Sequence, residues 1–149
     1  MTVHIGIDAG TKSGFALLGP NDTTPAMYEY DDITELVTDV RNLMYRGTPT
    51  VVYYEKFTIS ARTIKTAVVY DTLLFNGWLH HEGERFPYIK TKGFTPAQSK
   101  GFSTDAKLKH LDWYANTKGG HQNDAARVML LGMAKDGDAR VISGLRGLV

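Results

Sequence analysis

The sequence predicts an α/β domain whose sheet opens as an antiparallel meander and continues through alternating helices and strands. Three observations carry this. Near the amino terminus, two apolar segments, Val3 to Asp8 and Phe15 to Leu18, flank a turn rich in glycine and hydroxyl side chains. A second run of β-formers, Thr50-Val51-Val52-Tyr53-Tyr54-Glu55, ends in a carboxylate as the first does. Between and after these runs the apolar spacing shifts to three- and four-residue steps, the helical period.

Composition bounds the rest. The 149 residues make one domain, 1–149, and a hydrophobic content of 42% argues against disorder. No apolar run approaches the roughly 20 residues of a membrane span, and the first residues lack a signal-peptide layout, so a cytoplasmic protein with no membrane partner is expected. The absence of cysteine excludes disulfides and thiolate metal sites. Any metal must therefore be held by carboxylate, imidazole or carbonyl groups, which favours magnesium, with manganese as the alternative. The net charge of +1 conceals an uneven distribution. Residues 21–39 carry Asp22, Glu29, Asp31, Asp32, Glu35 and Asp39 without a Lys or Arg, whereas residues 88–127 carry a surplus of lysines that includes Lys100 and Lys107. Lys56, Arg62 and Lys65 add a short basic run after Glu55. Segregated in this way, the chain offers one side to a polyanion and one that repels it.

In chain order, the alternation of Val3, Ile5 and Ile7 and the run Phe15 to Leu18 read as a hairpin with one deeply buried strand. Gly10 and Gly14 are read as residues that permit a tight reversal or positive φ. Asp8, at the strand end, is costly to desolvate and calls for a metal ion or basic partner; its plain alternative is a turn-starting Asp. The motif also resembles the first phosphate loop of actin-like ATPases, a fold whose two lobes do not fit this length. Gly19 to Asp22 is a turn, and Ala26 to Tyr30 a third strand. From Asp32, the apolar stripe Ile33, Leu36, Val37, Val40, Leu43 and Met44 predicts a helix, opened by a capping box of Asp32 with Glu35 and closed at Gly47 and Pro49. Thr50 to Glu55 is a buried strand; laid parallel beside the first, it brings Glu55 and Asp8 to one sheet edge.

Ile64 to about His81 predicts a long helix that is apolar on most sides, so it needs cover on both: the sheet on one, a second copy of the chain or another part of the monomer on the other. A homodimer through this helix is the expectation. Phe86 to Thr91 is read as a fifth strand, followed by a short helix after Pro96 and another from Asp105 to Tyr114 capped by Thr104. A closing helix begins near His121-Gln122-Asn123-Asp124, where His121 and Asp124 share a face if His121 lies in the first turn. Asn123 or Asp124 acting as a simple helix cap explains the same residues locally. Residues 136–149 carry no signal.

Asp8, Glu55, His121 and Asp124 form a set able to converge on one sheet edge. Two divalent ions ~3.5–4 Å apart, held by such groups, clamp the attacking and leaving oxygens of an in-line phosphodiester displacement. The order strand-Asp8-x-Gly10, strand-Glu55, long helix, and His121-x-x-Asp124-Ala125 resembles the RuvC-type Holliday junction resolvases of bacteria and their phages, within the RNase H-like superfamily, over roughly residues 3–135. The resemblance implies a five-stranded mixed sheet, three antiparallel strands then parallel ones, with helices on both faces. It further implies a dimer built on the long helix and magnesium-dependent endonuclease cleavage of four-way junctions or other branched DNA. Asp8, Glu55, His121 and Asp124 would be its catalytic metal ligands, with His121 a ligand or a proton-transfer group, and Lys100 and Lys107 resemble the family's DNA-contacting lysines. Two departures stand out: Ala9 replaces a proline, and Phe57 lies two rather than three residues after the second carboxylate, where the family places an aromatic wedge. Phe57 is thus a DNA wedge or a packing residue. A related nuclease cutting RNA–DNA hybrids or flaps, and a catalytically inert DNA-binding module, are the competing readings.

Overall fold

The computed structural model describes residues 1–57 and 69–148. Arg62, Lys65 and the expected start of the long helix at Ile64 lie outside the described residues. β1 (Val3–Asp8), β2 (Ser13–Leu18), β3 (Ala26–Tyr30), β4 (Thr50–Glu55) and β5 (Ile89–Phe94) form one sheet in the order β3-β2-β1-β4-β5. β1–β2 and β2–β3 pair antiparallel, β1–β4 and β4–β5 parallel. Alternate residues of the central strands supply two cores, because successive side chains point to opposite faces. Ile5, Ile7, Phe15 and Val52 pack beneath α1 (Ile33–Met44) and α2 (Val69–Arg85). Ala16, Leu18 and Tyr53 pack beneath α5 (His121–Lys135), joined by Leu108 of α4 (Asp105–His110) and Val141 of α6 (Ala139–Gly144). α3 (Pro96–Phe102) lies against α5. No helix among the described residues is long and apolar enough to cross a membrane.

α5 sits close on the sheet, and glycines make the closeness possible. A Cβ at Gly14 would stand 1.8 Å from the carbonyl oxygen of His121, and one at Gly6 would stand 2.2 Å from that of Ala125. On the helix side, a Cβ at Gly132 would enter the Tyr53 ring at 2.0 Å. Of the two alternatives the sequence left for Gly10 and Gly14, a tight reversal or positive φ, the second is not used at either; Gly14 is needed for contact. Gly14→Ala is therefore expected to destabilise by about 3 kcal/mol through overpacking against an unyielding backbone. Gly77→Ala, in α2 with nothing within 4 Å of its Cβ, should instead stabilise by about 0.5–1 kcal/mol. Denaturant melts of the two variants check both signs.

Several element boundaries differ from the sequence reading. β5 runs from Ile89 to Phe94, not 86–91: Pro87 lies in a turn closed by Ile89 N–H to the Phe86 carbonyl, and the lysines at 90 and 92 are tolerated on an edge strand. α2 continues past His81 to Arg85 because Glu82 is buried and Gly83 lies against Thr91 of β5, features without apolar signal. α4 stops at His110, where Asp112 turns to φ 60° and Trp113 enters the core with its indole N–H donating to the Thr23 carbonyl at 2.8 Å. Asp32 caps α1 by accepting from the Thr34 N–H at 2.8 Å rather than through a capping box with Glu35; the capping box that forms is Thr95 with Gln98 at α3. The stretch read as uninformative holds α6, capped by Asp138.

Candidate active site

Strand alternation determines where the two strand-end carboxylates go. Gly6 faces α5, so Asp8, two residues on, faces the same side; Tyr53 faces α5, so Glu55 does too. β1 and β4 are parallel with Ile7 opposite Tyr54, so Asp8 and Glu55 leave the sheet as neighbours at one edge. Asp8 is also paired with Gly14, the residue on which the first turn of α5 rests. His121 opens that helix, and its Nδ1 lies 3.2 Å from Asp8 Oδ2. Asp124, one turn along, adds its charge to the same spot. The structure thus brings together the four residues singled out from sequence.

The local alternatives for these residues are not realised. α5 is capped by the backbone of Gly120 in the left-handed region, with no side-chain cap. Asn123 instead turns inward, accepting from the Ala115 N–H at 2.7 Å and donating to the Ala115 carbonyl at 2.9 Å, which pins the preceding loop. Asp124 is left for other work.

Electrostatically the site is a crowd of carboxylates. Burial raises the Glu55 carboxyl to about 8, helped by hydrogen bonding to Asp8 and the charges of Asp8 and Asp124; Lys100 opposes. Asp8 is also raised, first by burial and then by Asp124, while its contact with Glu55 and the Lys100 charge pull the other way. Without a cation, the Asp8–Glu55 pair therefore retains a proton. Glu55 Oε1 is buried and has no hydrogen-bond partner among the described residues. A buried oxygen without a partner is costly unless a donor or a cation meets it. The donors are carboxylate oxygens and one imidazole, a set that fits magnesium or manganese. Among the described residues no group of three or more His, Asp or Glu side chains is already arranged to hold a metal ion. Asp124 Oδ1 lies 3.4 Å from Arg127 Nε, and His121 Nδ1 faces Asp8 Oδ2.

Around this edge, Lys100 on α3 is exposed and close enough to act on both carboxylates. Lys107 is less free than its sequence position suggests: its Nζ donates to the Phe102 carbonyl at 2.7 Å and lies 3.9 Å from the centre of the Phe102 ring. Lys56 is exposed, and its stem lies over Gly93 of β5. Phe57 is half-buried. The acidic α1 lies on the opposite sheet face from α3, α4 and α5, so the segregation of charge seen in sequence becomes spatial.

Sequence reasoning counted Arg127 among the basic residues of 88–127 and gave it no role at the site. Three residues after Asp124 on α5, it reaches Asp124 and Asp105 and lines a cleft of about 410 Å³ with Lys100, Ser103 and Thr104. The i, i+3 spacing was the available signal. A cleft of about 720 Å³ lies elsewhere, between His4, Lys92, Asp136, Asp138 and Arg140. Its charges largely satisfy one another: Lys92 pairs with Asp136, and Arg140 grips Asp138 and the carbonyls of Gly19 and Pro20. That cleft is therefore a structural join between α6 and the β2–β3 turn, away from the orphaned carboxylate.

No family model and no curated protein matches the sequence. Among solved structures, the chain is similar to Thermus thermophilus RuvC in complex with a Holliday junction substrate, at 15% identity and TM-score 0.67, covering 92% of this chain and 97% of that one. It is also similar to Thermus thermophilus RuvC in a second structure, at 16% identity and TM-score 0.57, with 91% and 96% coverage. The mixed five-stranded sheet, the helices on both faces and this near end-to-end match give the chain a RuvC-type, RNase H-like fold.

Proposed function

We propose that the chain is a structure-selective endodeoxyribonuclease that resolves four-way junctions or other branched DNA by metal-dependent phosphodiester hydrolysis, acting in the cytoplasm. The observation that carries this reading is the half-buried Asp8–Glu55 pair beside His121, with the buried Glu55 Oε1 unpartnered among the described residues. Asp8, Glu55, His121 and Asp124 would hold two magnesium ions, or manganese. When bound, the ions supply charge neutralisation for an in-line displacement at phosphorus.

The protein's own groups do the remaining work. Asp8 Oδ2 engages His121 Nδ1, which leaves Nε2 as the ring nitrogen for a ligand or proton-transfer role. Lys56 and Lys100, with Arg62 and Lys107, would follow the DNA backbone, and Phe57 would stack at the branch or pack. α2 exposes Leu73 and Leu74, 39% and 54% accessible, which supports a homodimer through this helix. Two copies would cut two strands in a paired fashion.

Purified protein with labelled four-way junction, linear duplex and RNA–DNA hybrid, in magnesium or EDTA, tests the reading. Paired magnesium-dependent nicks confined to the junction are expected. Cutting of the hybrid alone would change the substrate, and binding without cutting would reduce the chain to a DNA-binding module.

A further inference from the structure

The residue that bridges the candidate site to the lysine-bearing helices is Arg127. Its guanidinium points in two directions at once. On one side Nε meets Asp124 Oδ1 at 3.4 Å, along the same helix; on the other Nη2 pairs with Asp105, the first residue of α4. Nη1 donates to the Ser103 carbonyl at 3.4 Å, and Ser103 Oγ returns a bond of 2.8 Å to the Arg127 carbonyl. The Arg127 side chain is 14% exposed, against 54% for Asp105, so the fork is held inside the α3–α4 elbow rather than waving from the surface. A charged group so enclosed keeps a defined direction, and a planar fork matches two carboxylates in a way that a point charge cannot.

We propose that Arg127 is a positioning residue: it fixes the rotamer of Asp124 against the elbow formed by Ser103 and Asp105, so that this carboxylate is presented to the cation site. The inference rests on the reading of Asp8, Glu55, His121 and Asp124 as metal ligands. Arg127 meets Asp124 through Oδ1, and a carboxylate has a second oxygen able to coordinate. Groups that orient ligands from behind typically contribute 10- to 100-fold in metal affinity or activity. The same fork links α5 to the segment carrying Lys100 and Lys107.

The test is manganese binding by isothermal titration calorimetry on the full chain, alongside junction affinity in EDTA and thermal melting. Arg127→Ala is expected to weaken manganese binding at least about 10-fold, with junction affinity within about twofold and the fold intact. Arg127→Lys should recover part of the loss, because an ammonium can meet one carboxylate but not both. Asp105→Asn, which frees the far side of the fork while leaving Asp124 and Arg127 in place, should lie between Arg127→Ala and wild type. Unchanged manganese affinity in Arg127→Ala would overturn the proposal, as would parallel loss of metal binding, junction binding and melting temperature, the pattern of a purely structural residue. If wild type binds manganese and the variants weaken it in this order, yet no branched DNA is cut, the positioning role stands and the nuclease reading alone falls.

Discussion

Asp8→Asn and Glu55→Gln are each expected to reduce junction cleavage roughly 1,000-fold or more, with junction binding in EDTA nearly unchanged. The size follows from the role: a charge cluster that neutralises a transferring phosphoryl group supplies several kcal/mol, and each 1.36 kcal/mol is tenfold in rate. The selectivity follows from the geometry. Both substitutions keep shape while replacing an ionisable carboxyl with a neutral amide at a spot where three carboxyls crowd, so neither should unfold the chain. Neither removes a cation from the DNA-facing side, so the backbone contacts persist. Single-turnover cleavage with a gel-shift titration in EDTA reads both quantities. Loss of binding together with folding in both variants would mean that the pair is structural.

The second large effect concerns stability against pH in the metal-free protein. Burial and Asp8 hold the Glu55 carboxyl near 8, far above its ordinary 4.5. The folded chain therefore binds more protons than the unfolded chain between those values, and stability falls as pH rises through that window. Asp8, raised for similar reasons, acts with the same sign. His4, lowered chiefly by burial, acts oppositely, but only below its ordinary value of 6.5. For Asp136 and Asp138, burial would raise the carboxyls, yet bonds from Lys92 and Tyr53 to the first and from Arg140 to the second hold them low. Their contribution is lost only on acidification below the ordinary carboxylate value of 3.8. Calorimetric melts in EDTA should thus show a falling melting temperature from about pH 7 to 8. Glu55→Gln should flatten this slope and raise the melting temperature at pH 8. Magnesium should do the same for wild type, by binding the folded state alone. A wild-type melting temperature that rises over this interval would contradict the buried-pair assignment.

Much of this was legible in the sequence because period and strand ends are local signals. β1 to β4 and α1 follow from alternation and stripe, and the parallel placement of β1 and β4 then forces Asp8 beside Glu55. His121 and Asp124 were readable as a pair because helical spacing places them one turn apart. What escaped depends on partners distant in sequence. β5 was misplaced because aromatic Phe86 and Tyr88 look like strand but pack on each other at a turn, whereas Lys92 and Gly93 look like loop but lie on an edge strand. The role of Arg127 needed Asp105 to be brought 22 positions back to it, and the function of Gly14 needed a helix that begins at residue 121. Neither contact leaves a trace in spacing.

The seating of α5 on Gly6 and Gly14 has a bearing on how such a chain can diverge. Where helix and strand meet backbone to backbone, no exchangeable side chain lies between them to absorb change. Substitution is then easier in the surrounding surface and the outer helices than at this contact, which sets where His121 meets Asp8. A chain sharing 15% of its residues with RuvC can on this account keep the whole outline of that molecule over 92% of its length. The shared fold is thus carried by the spacing of two main chains rather than by side-chain identity.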